Sequence, residues 1–203
     1  KAIVRFLESN RGKRALAFFD GSFIVSFVGG MQPERQQQYT NAVQYLLTKS
    51  EETRVPLIGF IDNSFSSDVV TLIQHAVGRT RIVRSSDALL LRQQMQWGDR
   101  SRVYFCSRND EVIDNDYYEQ VCITYLKTTR DNAPARIEFP RWLYEDNTYE
   151  WALDIVRAEC IVGLGYPYPL ETADATAVLT MQDRERFQRM FQQFAEREEI
   201  PLQ

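Results

Sequence analysis

Pro56 opens a five-residue run, Leu57-Ile58-Gly59-Phe60-Ile61, that contains no polar side chain and stops abruptly at Asp62-Asn63-Ser64. A strand with one face in water alternates apolar and polar residues, whereas an unbroken apolar run of this length reads as a strand covered on both faces. The chain must therefore place other elements above and below this strand, which points to a layered α/β architecture.

The remaining segments can be read in the same way. Residues 16–19 and 23–28 are β-prone runs on either side of Asp20-Gly21-Ser22, a hairpin signal. Tyr39, Ala42, Val43, Leu46 and Leu47 recur at helical spacing over residues 36–48. Beyond Asp62, Ser66 or Ser67 caps a helix with Asp68 in its first turn and Val69, Val70, Ile73 and Val77 facing inward. A polar connection over residues 78–86 carries Arg79, Arg81 and Arg84, and a further helix is expected from residue 87 to about 95. Three β-type runs follow at residues 102–106, 120–126 and 135–139; in the last, alternation puts Arg136 and Glu138 on one face and Ile137 and Phe139 on the other. Residues 150–162 read as a largely buried helix, and residues 163–169 as a rigid loop into a small-residue helix at 171–179. A final helix over residues 183–197 lines up Phe187, Met190, Phe191 and Phe194, a stripe for the core or for a partner interface. Strands and helices alternate early and strands cluster in the middle, as in a mixed sheet covered by helices.

A length of 203 residues fits a single domain over residues 1–203 that buries its own core without disulfides. The chain starts at Lys1 rather than methionine and leads directly into an apolar segment, so it is expected to be part of a longer protein. No window approaches the roughly 18 apolar residues of a membrane span, and no membrane association is expected. Cys106, Cys122 and Cys160 each sit inside an apolar run, and His75 is the single histidine, an arrangement that disfavours a zinc site. Buried thiols in the reducing cytoplasm are the expected reading. A net charge of −4 excludes a generally basic coat for nucleic acid but leaves room for a local groove.

Three acids stand where an apolar element ends or a helix begins: Asp20, Asp62 and Asp174. Carboxylates on the rims of neighbouring strands can hold the hard divalent cations that phosphodiester hydrolysis needs. Each acid also has a plain structural alternative: a hairpin turn for Asp20, helix-entry punctuation for Asp62, and a first-turn helix acid for Asp174. Other chemistries fare worse. Gly163-x-Gly165 lacks the third glycine of a dinucleotide fingerprint, Ser22 and Ser64 lack a G-x-S-x-G context, and His75 has no partner motif. Arg79, Arg81 and Arg84 are candidates for phosphate contacts or for a solvated loop.

Taken in order, four segments resemble the NurA nuclease family: Ala17-Phe18-Phe19-Asp20-Gly21-Ser22-Phe23, then residues 56–64, then Ala135-Arg136-Ile137-Glu138-Phe139-Pro140, and finally Gly165-Tyr166-Pro167-Tyr168-Pro169-Leu170 followed by Ala173-Asp174. The resemblance implies a ribonuclease H-like, Piwi-related mixed β-sheet flanked by helices. It also implies a Mn²⁺- (or Mg²⁺-) dependent deoxyribonuclease, acting as an exonuclease or single-strand endonuclease in DNA double-strand break end processing. Asp20, Asp62 and Asp174 are then the expected metal ligands, with Tyr166 lining the cleft beside the scissile phosphate. DNA, a HerA-type hexameric ATPase and a second copy of the chain are the expected partners. Two departures stand out. The family has a histidine where this chain has Asp174, and a glutamate on the helix before the second acidic strand, where this chain reads Val43-Gln44-Tyr45-Leu46 with Glu51 and Glu52 expected in the following loop. An aspartate can serve Mn²⁺ or Mg²⁺ through oxygen, yet it supplies no imidazolium acid near neutral pH. These departures motivate an alternative, a catalytically degenerate scaffold that binds DNA ends or docks the ATPase; an RNA-directed role is a third reading.

Overall fold

The computed structural model describes residues 1–24, 32–78, 85–106, 115–178 and 181–197. The chain forms two compact units, Lys1–Leu170 and Glu171–Gln203. Among the described residues the first is built on a five-stranded sheet of order β1-β2-β5-β4-β3, from β1 (Ala17–Asp20), β2 (Leu57–Ile61), β3 (Tyr104–Phe105), β4 (Val121–Leu126) and β5 (Ala135–Pro140). β1 and β2 run parallel and all other pairs are antiparallel. The expected mixed sheet flanked by helices is therefore present.

β2 lies between β1 and β5, and its first four residues are buried. Strand alternation divides the core into two layers. On one face Leu57, Ile123 and Tyr125 pack with Leu7 of α1 (Ala2–Ser9), Val43 and Leu47 of α2 (Pro33–Thr53) and Val69 of α3 (Asp68–Ala76). On the other, Ile58, Phe60, Ile137 and Phe139 pack with Trp142 and Leu143 of α6 (Arg141–Glu145) and Leu153, Val156 and Cys160 of α7 (Tyr149–Val162). The split of β5 into an Arg136/Glu138 face and an Ile137/Phe139 face is as the alternation requires. Cys106, Cys122 and Cys160 are buried free thiols.

Several local readings change. The Asp20-Gly21-Ser22 signal does not close a two-residue hairpin: β1 pairs in parallel with β2, and the backbone N–H groups of Phe23 and Ile24 go to the Glu138 carboxylate rather than back to β1. The rest of the second expected strand, residues 25–31, lies outside the described residues, as do Arg79, Arg81 and Arg84. α2 is longer than its apolar spacing showed, because Pro33 starts it and Arg54 ends it in the left-handed conformation two residues ahead of Pro56. Glu51 and Glu52 therefore sit in the last turn of α2, not in a loop. In α3 only Val69 and Val70 are buried; Ile73 is 45% and Val77 61% exposed, since the helix meets the core through its first turn alone.

Ser67 precedes α3 without capping it through its side chain. Asp87, the fully buried first residue of α4 (Asp87–Arg92), supplies that acceptor: its Oδ1 takes the N–H of Val70 at 2.8 Å and its Oδ2 the Tyr125 hydroxyl at 2.7 Å. α5 (Asn115–Glu119) lies directly ahead of β4. The helix α8 (Tyr168–Thr176) leads into the second unit, which also holds α9 (Met181–Arg197). On α9 the Phe187, Met190, Phe191 and Phe194 stripe is more than half exposed at every position, so it is not core. Among the described residues no helix is long and apolar enough to cross a membrane.

Gly59 decides how closely the chain after β1 can cross β2. A Cβ there would stand 2.9 Å from the Gly21 carbonyl oxygen and 3.2 Å from the Phe23 ring. Gly59→Ala is expected to destabilise the protein by about 1–3 kcal/mol through this overpacking, read as a lower urea midpoint with unchanged m-value.

Candidate metal and nucleic-acid site

Asp20 is the last residue of β1 and is exposed; Asp62 follows directly on β2 and is also exposed. In the parallel register Asp20 pairs with Phe60, and Asp62 lies two residues beyond Phe60. Asp20 thus emerges on the face of Phe60, which α6 and α7 cover, at the carboxyl rim of the sheet, and Asp62 lies one residue past the end of β2 at the same rim.

Tyr166 reaches the same rim. Its ring stands edge-on to Phe60 at 5.3 Å between centroids, and its hydroxyl donates to Asp20 Oδ1 at 3.2 Å. Two glycines make this possible. Gly165 takes a φ of +117°, and a Cβ on it would lie 2.3 Å from Thr129 Cγ2; a Cβ on Gly163 would lie 2.0 Å from the Tyr166 carbonyl oxygen. Gly165 N–H donates to the Cys160 carbonyl at 2.7 Å, so the turn is tied to the end of α7. Asp62 is near that end too: burial, followed by the negative charges of Asp62 and Glu159, pushes the Cys160 thiol up to about 12. Cys160 thus stays a protonated thiol rather than a thiolate donor at neutral pH.

Asp20, Asp62 and Tyr166, three of the four residues singled out in the sequence, fall together in the first unit. Asp174 falls in the second, on α8, with its side chain exposed. His75 is an exposed helix residue on α3. Among the described residues no cluster of three or more His, Cys, Asp or Glu side chains is placed to hold a metal. Two exposed carboxylates offer a small hard-oxygen set, of the kind that binds Mg²⁺ or Mn²⁺ together with water and substrate phosphate.

Behind this rim lies a residue the sequence left without a role. Glu138, fully buried on β5, accepts from the Ser22 hydroxyl at 2.9 and 3.0 Å, from Phe23 N–H at 2.7 Å, from Ile24 N–H at 3.2 Å and from Arg136 Nε at 2.7 Å. Arg136 Nη1 in turn reaches Ser66 Oγ at 2.5 Å and Asp68 Oδ2 at 2.8 Å. Burial works against the Arg136 charge, but Glu138, Tyr125 and Asp68 outweigh it and raise its pKa further. The Tyr117 hydroxyl donates to the Phe23 carbonyl, so that residue is held at both ends. The alternating Arg136 and Glu138 were the only available signal, since partners more than a hundred residues apart leave no local pattern.

The NurA domain model matches residues 3–179. The chain belongs to the NurA domain family. Among solved structures it is similar to the NurA nuclease from Sulfolobus solfataricus, with a TM-score of 0.58 and 14% identity over 96% of this chain and 65% of that one. At that identity the likeness speaks for the fold, and the chain spans 65% of the length of that nuclease. No curated protein matches the chain. Within the NurA domain, the segments that carry Asp20, Asp62, Glu138 and Tyr166 all lie inside the matched residues.

Glu138→Ala leaves the Arg136 guanidinium buried without its carboxylate partner and frees the N–H groups of Phe23 and Ile24. The expected cost is about 3 kcal/mol, the low end for breaking a buried pair because Asp68 remains, while Ser22→Ala costs about 1 kcal/mol. Urea unfolding of both variants checks the ranking.

Proposed function

We propose that this NurA-domain chain is a Mn²⁺- or Mg²⁺-dependent deoxyribonuclease that processes DNA ends. The observation that carries the reading is the convergence of Asp20, Asp62 and Tyr166 on one rim of the sheet, inside a NurA domain whose similar solved structure is a nuclease. The ribonuclease H-like description of the fold belongs to the same proposal, as does double-strand break end processing.

In this reading Asp20 and Asp62 are the residues that would hold the cation. When bound there, a Mn²⁺ or Mg²⁺ ion would supply Lewis acidity toward water and the phosphate oxygens. The protein's own part is positional. Tyr166 steadies one oxygen of Asp20 and leaves the other free, and the glycine turn fixes the phenol at the edge of the cleft. The buried Arg136–Glu138 pair fixes the backbone just after Asp20 and just before α3, so both acid-bearing segments are held by one anchor. Asp174, expected from the motif to complete the ligand set, is tested by its own variant.

A HerA-type hexameric ATPase and a second copy of this chain are the proposed partners. The exposed Phe187, Met190, Phe191 and Phe194 stripe supports a protein contact through α9. The three buried, unbridged cysteines fit a cytoplasmic setting.

A second reading, a DNA-end-binding or ATPase-docking scaffold without cutting activity, is favoured by two observations. Among the described residues the acids form no group of three, and α2 carries Gln44 and Tyr45 where the family resemblance leads one to expect a glutamate. End-labelled single- and double-stranded DNA, with RNA alongside, separates the readings when incubated with Mn²⁺, Mg²⁺ or chelator. Asp20→Asn and Asp62→Asn are each expected to reduce Mn²⁺-dependent cutting at least a hundredfold with folding intact, and Asp174→Asn to reduce it less. Tyr166→Phe is expected to lower kcat more than it raises KM. No cutting by folded wild-type protein, even with its ATPase present, would establish the scaffold.

A further inference from the structure

Phe65 is 91% exposed, three residues after Asp62. A large aromatic ring in water gains nothing for the fold, and here it is not the free end of a loose loop. Ser64 on one side is buried and its Oγ accepts the Ser66 N–H at 3.3 Å. Ser66 on the other side is clamped between Arg136 Nη1 at 2.5 Å and Asp68 Oδ2 at 2.7 Å. The ring is thus presented outward by a stem anchored in the buried ion-pair network.

Phe65 lines a cavity of about 400 Å³ at the carboxyl end of β2, together with Ile24, Ile61, Asn63, Ser67 and the paired Arg136 and Asp68. Among the described residues Asn63 uses only its Nδ2, toward Asp62, and Ser67 Oγ makes no hydrogen bond. One aromatic face, one amide oxygen and one hydroxyl together suit a flat heterocycle with donors and acceptors on its edge. Chain geometry limits the Cα of Phe65 to about 11 Å from that of Asp62, the distance range between a phosphate and a nearby base on the same strand.

We infer that this cavity is a nucleobase subsite, in which Phe65 stacks on an unpaired base of the strand whose phosphate lies at Asp20 and Asp62. The inference rests on the nuclease reading for its occupant. A base inside a duplex hides both faces from such a ring, so the subsite selects single-stranded or frayed ends. Stacking on an aromatic is tolerant of base identity, because every base has a π face. Phe65 is a binding and positioning residue; it touches no reacting atom.

The test uses short single strands carrying 2-aminopurine at successive positions from each end, with Ca²⁺ replacing Mn²⁺, so that stacking is read as fluorescence quenching without cutting. Wild-type protein should quench the probe at one or two positions. Phe65→Leu, which keeps apolar bulk but no ring, should lose that quenching and weaken binding roughly five- to a hundredfold, the range expected for one stacked base. Phe65→Trp should restore both. In parallel Mn²⁺ assays the Leu variant should raise KM more than it lowers kcat. Equal quenching and affinity in wild type and Phe65→Leu would overturn the subsite. Loss of self-association in Phe65→Leu with DNA binding unchanged would overturn it in favour of a protein contact. A ring-dependent quench in a protein that never cuts would keep the subsite and overturn the nuclease reading instead.

Discussion

The rim that carries the acids depends on one buried ion pair. Arg136 and Glu138 point from β5 into the layer beneath α2, where neither can reach bulk water. A pair in that position is costly to desolvate and is tolerable only when its remaining hydrogen-bonding capacity is filled. Here it is filled by backbone N–H, hydroxyl and carboxylate groups from two segments that follow the acids. Glu138 takes Ser22, Phe23 and Ile24, immediately after Asp20; Arg136 takes Ser66 and Asp68, shortly after Asp62. A well-packed apolar pair could replace the charges without loss of stability, but it could not specify the path of two loops.

The opposite face of the same strands does complementary work. Phe60 and Tyr166 make an apolar floor between Asp20 and the end of α7, and the nearby Cys160 thiol stays neutral because it is buried. Asp20 therefore sits on the boundary of two layers: its side chain emerges on the α7 face and the backbone after it is secured from the α2 face. Asp87 repeats the device at smaller scale, using one buried carboxylate to cap α3 and to hold Tyr125. In both cases a carboxylate from elsewhere supplies the acceptors that the local sequence lacks.

Much of this was legible in the residues. The run at 57–61 announced a strand covered on both faces, and the alternation in 135–139 announced which side of β5 is polar. The acids at strand ends pointed to Asp20 and Asp62 before any geometry was known. What was not legible depends on distance along the chain. Asp20-Gly21-Ser22 carries a local hairpin signal, yet the turn is captured by a glutamate 116 positions away from Ser22. Gly59 is one residue of an apolar run in the sequence, and its missing side chain is the space through which Gly21 passes. Ile73 and Val77 had helical spacing, but spacing does not say how far along its length a helix meets the core. Phe65 gave no sequence signal, since an isolated phenylalanine beside a turn reads as buried until its exposure is known.

The long reach of Glu138 also bears on how the protein is made. Synthesis delivers the chain N-terminus first, at about 5–20 residues per second. Asp20 and Asp62 emerge early, but the carboxylate that shapes the turn after Asp20 is added more than a hundred residues later, and Tyr166 later still. A nascent chain can display the acids without being able to arrange them. The rim is consequently assembled only after β5 has paired with β2.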